Sequence, residues 1–116
     1  MAVRILKSPI KRSELVQIAS EEFGDVVKAV VDVEQKIMTI GGELHADGEV
    51  ELMEKENSQR EHTWGINLYP KKTGSDWIEF DSMINLKPSF GNRSRDVGDQ
   101  GTREKIKAVV ATYIHE

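Results

Sequence analysis

The stretch WIEFDSMINLKPSFGNRSR, residues 77–95, carries the pattern that decides the fold. Apolar residues alternate with polar ones in its first half, and this period of two predicts a long half-buried strand over residues 77–86. The residues that should face the core are Ile78, Phe80, Ile84 and Leu86. The residues that should face away are Glu79, Asp81, Met83, Asn85 and Lys87. The strand then leads into a tight loop, Gly91–Arg95.

Working outward from this stretch, the apolar periodicity alternates between that of strands and that of helices. Period-two patterns predict strands at residues 2–7, 27–33, 37–40 and 64–69, and the second and third form a hairpin around Glu34-Gln35-Lys36. Helical spacing predicts helices at residues 11–23, 43–57 and 99–115, the last with Asp99 as its N-cap. Gly48 weakens the middle helix, because glycine costs about 1 kcal/mol relative to alanine inside a helix.

The element order is therefore β-α-β-β-α-β-β-α within one domain, residues 1–116. Hairpins that alternate with helices predict an α+β fold with a mainly antiparallel sheet and the helices packed on one face. The other face would then carry a polar platform. Its members by parity are Asp32, Asn67, Tyr69, Asp81 and Asn85. Lone charges on the same face, Lys28, Glu34 and Glu79, are interpreted as solvated side chains.

The loop after the predicted strand is the best candidate for a ligand site. Gly91 and Asn92 adopt unusual backbone angles readily, which lets backbone N–H groups converge on an anion, and Arg93 and Arg95 add planar forks for carboxylate or phosphate. The first hypothesis is a non-catalytic module that binds a small anionic ligand or an acidic group. The predicted ligand-binding residues are Asn67, Asp81, Asn85, Asn92, Arg93 and Arg95. The alternative is that the arginines form internal salt bridges with Asp81, Asp96 or Asp99.

The segment GGELHAD, residues 41–47, suggests a second hypothesis, a small metal-assisted hydrolase. Glu43, His45 and Asp81 would be its ligands or acid–base groups, and the arginines would stabilise the transition state. On a helix, Glu43 and Asp47 share a face whereas His45 points away, so one ion needs Asp81 or Asp32 brought alongside.

Composition limits the other classes of function. The chain has 116 residues, no cysteine and a net charge of −4, from 16 basic and 20 acidic residues. No disulfide or thiolate chemistry is available, and the acidic balance disfavours nucleic acid as a partner. No apolar run reaches the roughly 20 residues that span a bilayer. We expect a cytoplasmic protein with no cofactor and no membrane partner.

A third hypothesis is homo-oligomerisation through the platform. Trp77, Tyr69 and Met83 would be the anchors of such an interface, because aromatic residues and methionine are enriched where proteins meet.

The motifs GGELHAD, WGINLYP and WIEFDSMINLKPSFGNRSR together resemble a small, mainly bacterial family of domains of unknown function. The resemblance runs along nearly the whole chain, and Gly48 departs from it, because the family has a better helix former at that place. It implies a coherent fold and no activity, substrate or cofactor.

Overall fold

The chain folds around a five-stranded antiparallel sheet, described for residues 2–116 by a computed structural model. The strands are β1 (Arg4–Ile5), β2 (Ile10–Lys11), β3 (Val27–Asp32), β4 (Ile37–Ile40), β5 (Thr63–Leu68), β6 (Ile78–Glu79) and β7 (Ile114–His115). The helices are α1 (Arg12–Glu21), α2 (His45–Glu56) and α3 (Gln100–Tyr113). The sheet order is β1-β4-β3-β5-β6, and β2 and β7 form a separate parallel pair. The α+β fold and the predicted hairpin of β3 and β4 are confirmed.

One face of the sheet holds the main core. Val27, Ala29 and Val31 alternate along β3 and belong to the same buried cluster as the apolar stripes of α1 and α3. Those stripes are Leu15, Ile18 and Ala19 on α1 and Ile106, Val109 and Val110 on α3. The Cα radius of gyration is 12.9 Å, against about 13 Å expected for one compact domain of this length. The chain is therefore a single domain.

The prediction that all helices pack on one face is wrong, because α2 lies on the other. Val30, which points away from the main core, forms a second buried cluster with Leu52 of α2 and Ile84. The valine-rich strand β3 is thus covered on both faces. This explains why its apolar residues form a nearly continuous run instead of alternating strictly with polar ones.

Gly48 is what brings α2 this close to the sheet. A Cβ at this position would lie 2.6 Å from Thr39 Oγ1 and 2.8 Å from a Val30 methyl carbon. The glycine that weakens the helix by sequence propensity is therefore required by packing, since any side chain would push the helix off the sheet.

The predicted long strand over residues 77–86 is also wrong. Only Ile78 and Glu79 pair with β5, and the chain then leaves the sheet through two 3₁₀ turns, Met83–Asn85 and Pro88–Phe90. The parity assignment holds for Phe80, which packs against the main core, and for Met83, which is 62% exposed. It fails at Asn85 and Lys87, which were expected on an outer face and are 0% and 2% exposed.

Side chains replace the missing strand along the edge of β5. The Asn85 amide accepts a hydrogen bond from Gly65 N at 2.8 Å and donates one to Gly65 O at 3.0 Å, which is the pairing that a neighbouring backbone would make. Further along, the Lys87 ammonium donates to the carbonyl oxygen of Thr63. The edge is therefore satisfied without a strand, because amide and ammonium groups supply the donors and acceptors that the backbone needs.

The predicted polar platform does not form as one surface. Asp32 is 1% exposed and caps the hairpin turn, where its Oδ1 accepts from Glu34 N and Gln35 N and its Oδ2 accepts from Ser58 Oγ at 2.6 Å. Helix α2 covers this part of the face. The polar residue therefore stabilises the turn instead of facing solvent.

The C-terminal helix begins as predicted, with the Asp99 carboxylate accepting from Thr102 N at 2.8 Å. It ends at Tyr113, earlier than predicted, because Ile114 and His115 pair with β2. No helix within residues 2–116 is long and apolar enough to cross a membrane.

Candidate functional site

A cavity of about 290 Å³ opens between the start of α2 and the irregular segment that follows β6. Its polar lining comes from Lys28, His45, Asn67, Asp81, Ser82 and Arg95. Its apolar lining includes Leu44, Met83 and Ile84. Two larger cavities, of about 460 and 650 Å³, lie against α3, and a third, of about 420 Å³, lies beside the start of α1. Their described lining residues include no buried polar side chain. The convergence of polar groups makes the first cavity the candidate site.

His45 is held in one tautomer. It is buried, and its Nε2 lies 2.8 Å from the Ile66 carbonyl oxygen, which can only accept a hydrogen bond. Nε2 therefore carries the proton. Burial lowers the pKa of His45, the Ile66 bond raises it less, the Lys28 charge lowers it further, and Asn67 and Asp81 raise it slightly. The ring is consequently neutral at pH 7, with the lone pair on Nδ1.

The Asn67 amide is oriented by two groups that can only accept. Its Nδ2 donates to Glu79 Oε1 at 2.8 Å and to the Asp81 carbonyl oxygen at 3.1 Å. The amide oxygen is then the atom left to face the cavity, which Asn67 lines together with His45. The amide and the imidazole thus each turn an acceptor toward the same region.

Three charged groups surround this pair of acceptors. Arg95 Nε donates to Asp81 Oδ1 at 2.7 Å, and the terminal guanidinium nitrogens donate no hydrogen bond to any described residue. Lys28 lies opposite Asn67 on the neighbouring strand and forms no ion pair within residues 2–116. With neutral His45, the lining therefore carries one net positive charge.

The backbone at Gly65 shapes the inner wall of the site. A Cβ built on Gly65 would lie 2.5 Å from Ser82 Oγ and 3.0 Å from His45 Cγ. Both side chains therefore pack directly against the backbone of Gly65, which has no side chain to keep them away. Ser82 N donates to Arg95 O at 3.0 Å, which ties the segment after β6 to the arginine loop. The hairpin-like return of the chain thereby places Asp81 beside Arg95.

Of the six residues predicted to bind a ligand, the cavity lining includes Asn67, Asp81 and Arg95. Asn85 and Asn92 are buried outside it. Asn92 Nδ2 donates to the carbonyl oxygens of Asn85, Ser94 and Asp96, so this amide organises the loop. Arg93 is exposed and forms no ion pair with a described residue. The internal salt bridge considered for the arginines is present for Arg95 with Asp81.

Among the alternative metal ligands, His45 and Asp81 line the cavity, whereas the exposed Glu43 does not. In the part of the chain that the structure describes, no three His, Cys, Asp or Glu side chains form a group able to hold a metal ion. Of the proposed interface anchors, Met83 is 62% exposed. Trp77 and Tyr69 are half-buried, with Arg12 stacked 4.0 Å from the Trp77 ring and the Tyr69 hydroxyl bonded to Glu79.

Sequence reasoning missed Lys28, which it treated as a solvated strand charge. The parity of β3 and β5 had placed Lys28 and Asn67 on one face, and their cross-strand pairing puts them side by side. The register between β3 and β5 was the signal that would have identified Lys28 as a neighbour of Asn67.

A second buried polar cluster lies along the edge of β5, and it stabilises the fold. Glu49 accepts from Arg60 Nη1 at 3.0 Å and from Thr63 Oγ1 at 2.6 Å. Lys87 donates to the carbonyl oxygens of Arg60 and Thr63 and lies over the Trp64 ring. Burial and the neighbouring Arg60 charge lower the pKa of Lys87 to about 8, against a smaller opposing effect of Glu49.

This pKa predicts a stability that rises with pH. Between about pH 8 and the ordinary lysine pKa of 10.5, the unfolded chain binds more protons at Lys87 than the folded chain does. The contribution of Lys87 to the free energy of unfolding should therefore increase by about 2 kcal/mol from pH 8 to pH 10. Urea unfolding of wild type and Lys87→Met across this range measures it, because all other titrating groups are common to both proteins. A constant difference between the two would contradict the prediction.

Comparison with known proteins places the chain in a family. Residues 4–113 match the family described as protein of unknown function (DUF5674), and the chain therefore belongs to it. The resemblance inferred from the sequence motifs is confirmed to that extent. No curated protein and no solved structure matches the chain.

Proposed function

We propose that this member of the DUF5674 family binds a small anionic ligand in the cavity between α2 and the segment after β6. The observation that carries the proposal is the charge of the lining: two cations, Lys28 and Arg95, surround one carboxylate, Asp81. A single negative charge on a ligand would balance them. The volume of about 290 Å³ lies at the lower end of small-molecule sites, which supports a ligand of a few carbon atoms.

Arg95 is the main anion-binding group in this proposal. Asp81 holds Nε and so fixes the plane of the guanidinium, while the terminal nitrogens stay available as a fork for a carboxylate. Lys28 adds a point charge from the sheet. The anion would therefore lie between the guanidinium group of Arg95 and the ammonium group of Lys28, against the sheet.

The test is the thermal stability of the protein in small carboxylates at constant ionic strength. A ligand that binds only the folded state adds about 1.4 kcal/mol of stability at tenfold excess over its Kd. We expect acetate, propionate or lactate to raise the melting temperature of the wild type by several degrees. Arg95→Ala should abolish the rise.

Arg93→Ala is the matched control, because Arg93 is an exposed arginine two residues away that does not line the cavity. It removes the same charge and should leave the ligand-induced rise intact. Arg95→Ala keeps the backbone carbonyl that Ser82 and Asn85 bond to, so it should fold. Equal loss in both variants, or no rise with any carboxylate in the wild type, would overturn the proposal.

A further inference from the structure

The acceptors in the cavity define what a ligand must carry besides its negative charge. Nδ1 of His45 forms no hydrogen bond with a described residue, and it is not among the buried polar atoms left without a partner. It is therefore open to the cavity. Asn67 lines the same cavity, and its amide oxygen is the atom left for a ligand, because Nδ2 already donates to Glu79 and to the Asp81 carbonyl oxygen.

Two acceptors that line one cavity are matched by a ligand group that donates. An O–H or N–H group of the ligand can bond to His45 Nδ1, to the Asn67 oxygen or to both. Among the donors of the lining, the Lys28 ammonium and the terminal nitrogens of Arg95 are assigned to the negative charge of the ligand.

The donor should be uncharged. A ligand ammonium group would enter a lining that already holds Lys28 and Arg95 against the single carboxylate of Asp81, so it would meet like charges. Burial and the Lys28 charge, which lower the pKa of His45 although the Ile66 bond raises it, act in the same direction. A hydroxyl group meets both requirements, since it donates a hydrogen bond without bringing charge.

We propose that the ligand of this cavity is a small hydroxycarboxylate, whose carboxylate binds Arg95 and Lys28 and whose hydroxyl donates to His45 Nδ1 or Asn67 Oδ1. The inference rests on the proposed anion site and adds the second group of the ligand. The two recognition elements lie on different parts of the fold, the arginine loop and the start of α2, so a short ligand bridges them.

The experiment compares three ligands of the same size on the wild-type protein by NMR titration at pH 7.5 and constant ionic strength. Lactate carries the hydroxyl, propionate lacks it, and alanine carries an ammonium group in its place. We expect lactate to bind about tenfold more tightly than propionate, as one or two added hydrogen bonds predict. Alanine should bind more weakly than lactate. The ¹⁵N resonance of the unprotonated His45 Nδ1 or the Asn67 amide resonances should shift with lactate and not with propionate.

The outcomes distinguish a failure of the hydroxyl assignment from a failure of the anion site. Equal affinity for lactate and propionate would overturn the hydroxyl assignment and leave the anion site standing. Binding of neither would overturn the anion site itself. Alanine binding as tightly as lactate would overturn the uncharged donor, and tighter lactate binding without a shift of either the Nδ1 resonance or the Asn67 amide resonances would overturn the role of the two acceptors.

Discussion

Asn85→Ala should destabilise the protein by about 3 to 5 kcal/mol, because two buried hydrogen bonds and a third, part-buried one are lost at once. Asn85 is 0% exposed, and its amide bonds to Gly65 N, Gly65 O and Arg95 O at 2.8, 3.0 and 2.9 Å. Alanine would leave Gly65 N and Gly65 O buried without partners, whereas Arg95 O would keep its bond from Ser82 N. The loss is measured by chemical unfolding at pH 7 with tryptophan fluorescence.

Gln17→Ala is the control for this substitution, since it removes an exposed amide with a single bond to Glu21. Its effect should stay within about 0.5 kcal/mol. Asn85→Asp tests the donor half alone, because it keeps an acceptor for Gly65 N and removes the group that donates to Gly65 O and Arg95 O. We expect it to be at least as destabilised as Asn85→Ala. A loss below about 1 kcal/mol in both would show that the edge of β5 does not depend on Asn85.

The second large effect is expected for Gly65→Ala, at about 3 kcal/mol or more of lost stability. The new methyl group would lie 2.5 Å from Ser82 Oγ and 2.6 Å from Ser82 Cβ, distances at which the segment after β6 must move. Overpacking of buried positions costs about 1 to 3 kcal/mol, and more where backbone must shift. His45, 3.0 Å from the same point, should be displaced as well, so ligand binding is lost together with stability.

A double substitution distinguishes a steric clash from a general intolerance of β5 to change. In Gly65→Ala/Ser82→Gly the colliding side chain is removed, and we expect the double variant to be more stable than the sum of the two single effects predicts. Gly101→Ala is the matched glycine control, because its Cβ would meet only the Asp99 carboxylate at the exposed start of α3. Additive effects in the double variant would contradict the clash.

Periodicity predicted the elements that bury a continuous apolar stripe. The hairpin of β3 and β4, the strand β5 and the helices α1, α2 and α3 all lie within a few residues of their predicted places. Each of them repeats its apolar residues at the spacing of its own backbone, so the pattern survives whatever it packs against. The N-cap at Asp99 was equally local, since the carboxylate bonds to a residue three positions away.

Periodicity failed in the stretch of residues 77–95, where alternation continued and the strand did not. Ile84 is buried against Val30 and Leu52 on the second face, whereas parity assigned it to the first. An alternating pattern records which side chains are buried but not which surface buries them. The same ambiguity led to the expectation that all helices share one face, because nothing in the sequence of α2 states which side of the sheet its apolar residues meet.

The candidate site depended even more on distant contacts. The sequence singled out Asp81, Asn67 and Arg95 and left open whether they met, and the alternative metal set supplied His45 as a separate candidate. What joins them is the cross-strand register of β3 with β5 and the bond from Ser82 N to Arg95 O. The register between strands and the contacts of the loop depend on the whole sheet. The sequence could therefore identify single candidate residues, but not which of them lie next to each other in the fold.

By itself, the sequence determined an α+β domain with its helices, its hairpin and the polar residues that any site would have to use. The tertiary structure decided what those polar residues do. Asn85 and Lys87, which were expected on the outer face of a strand, complete the open edge of a strand about twenty residues earlier in the chain. Asn67, Asp81 and Arg95 gather with His45 and Lys28 at the cavity. The physical reason is that apolar burial is encoded in local spacing, whereas hydrogen-bond partners and charge neighbours are chosen by contacts far apart in sequence.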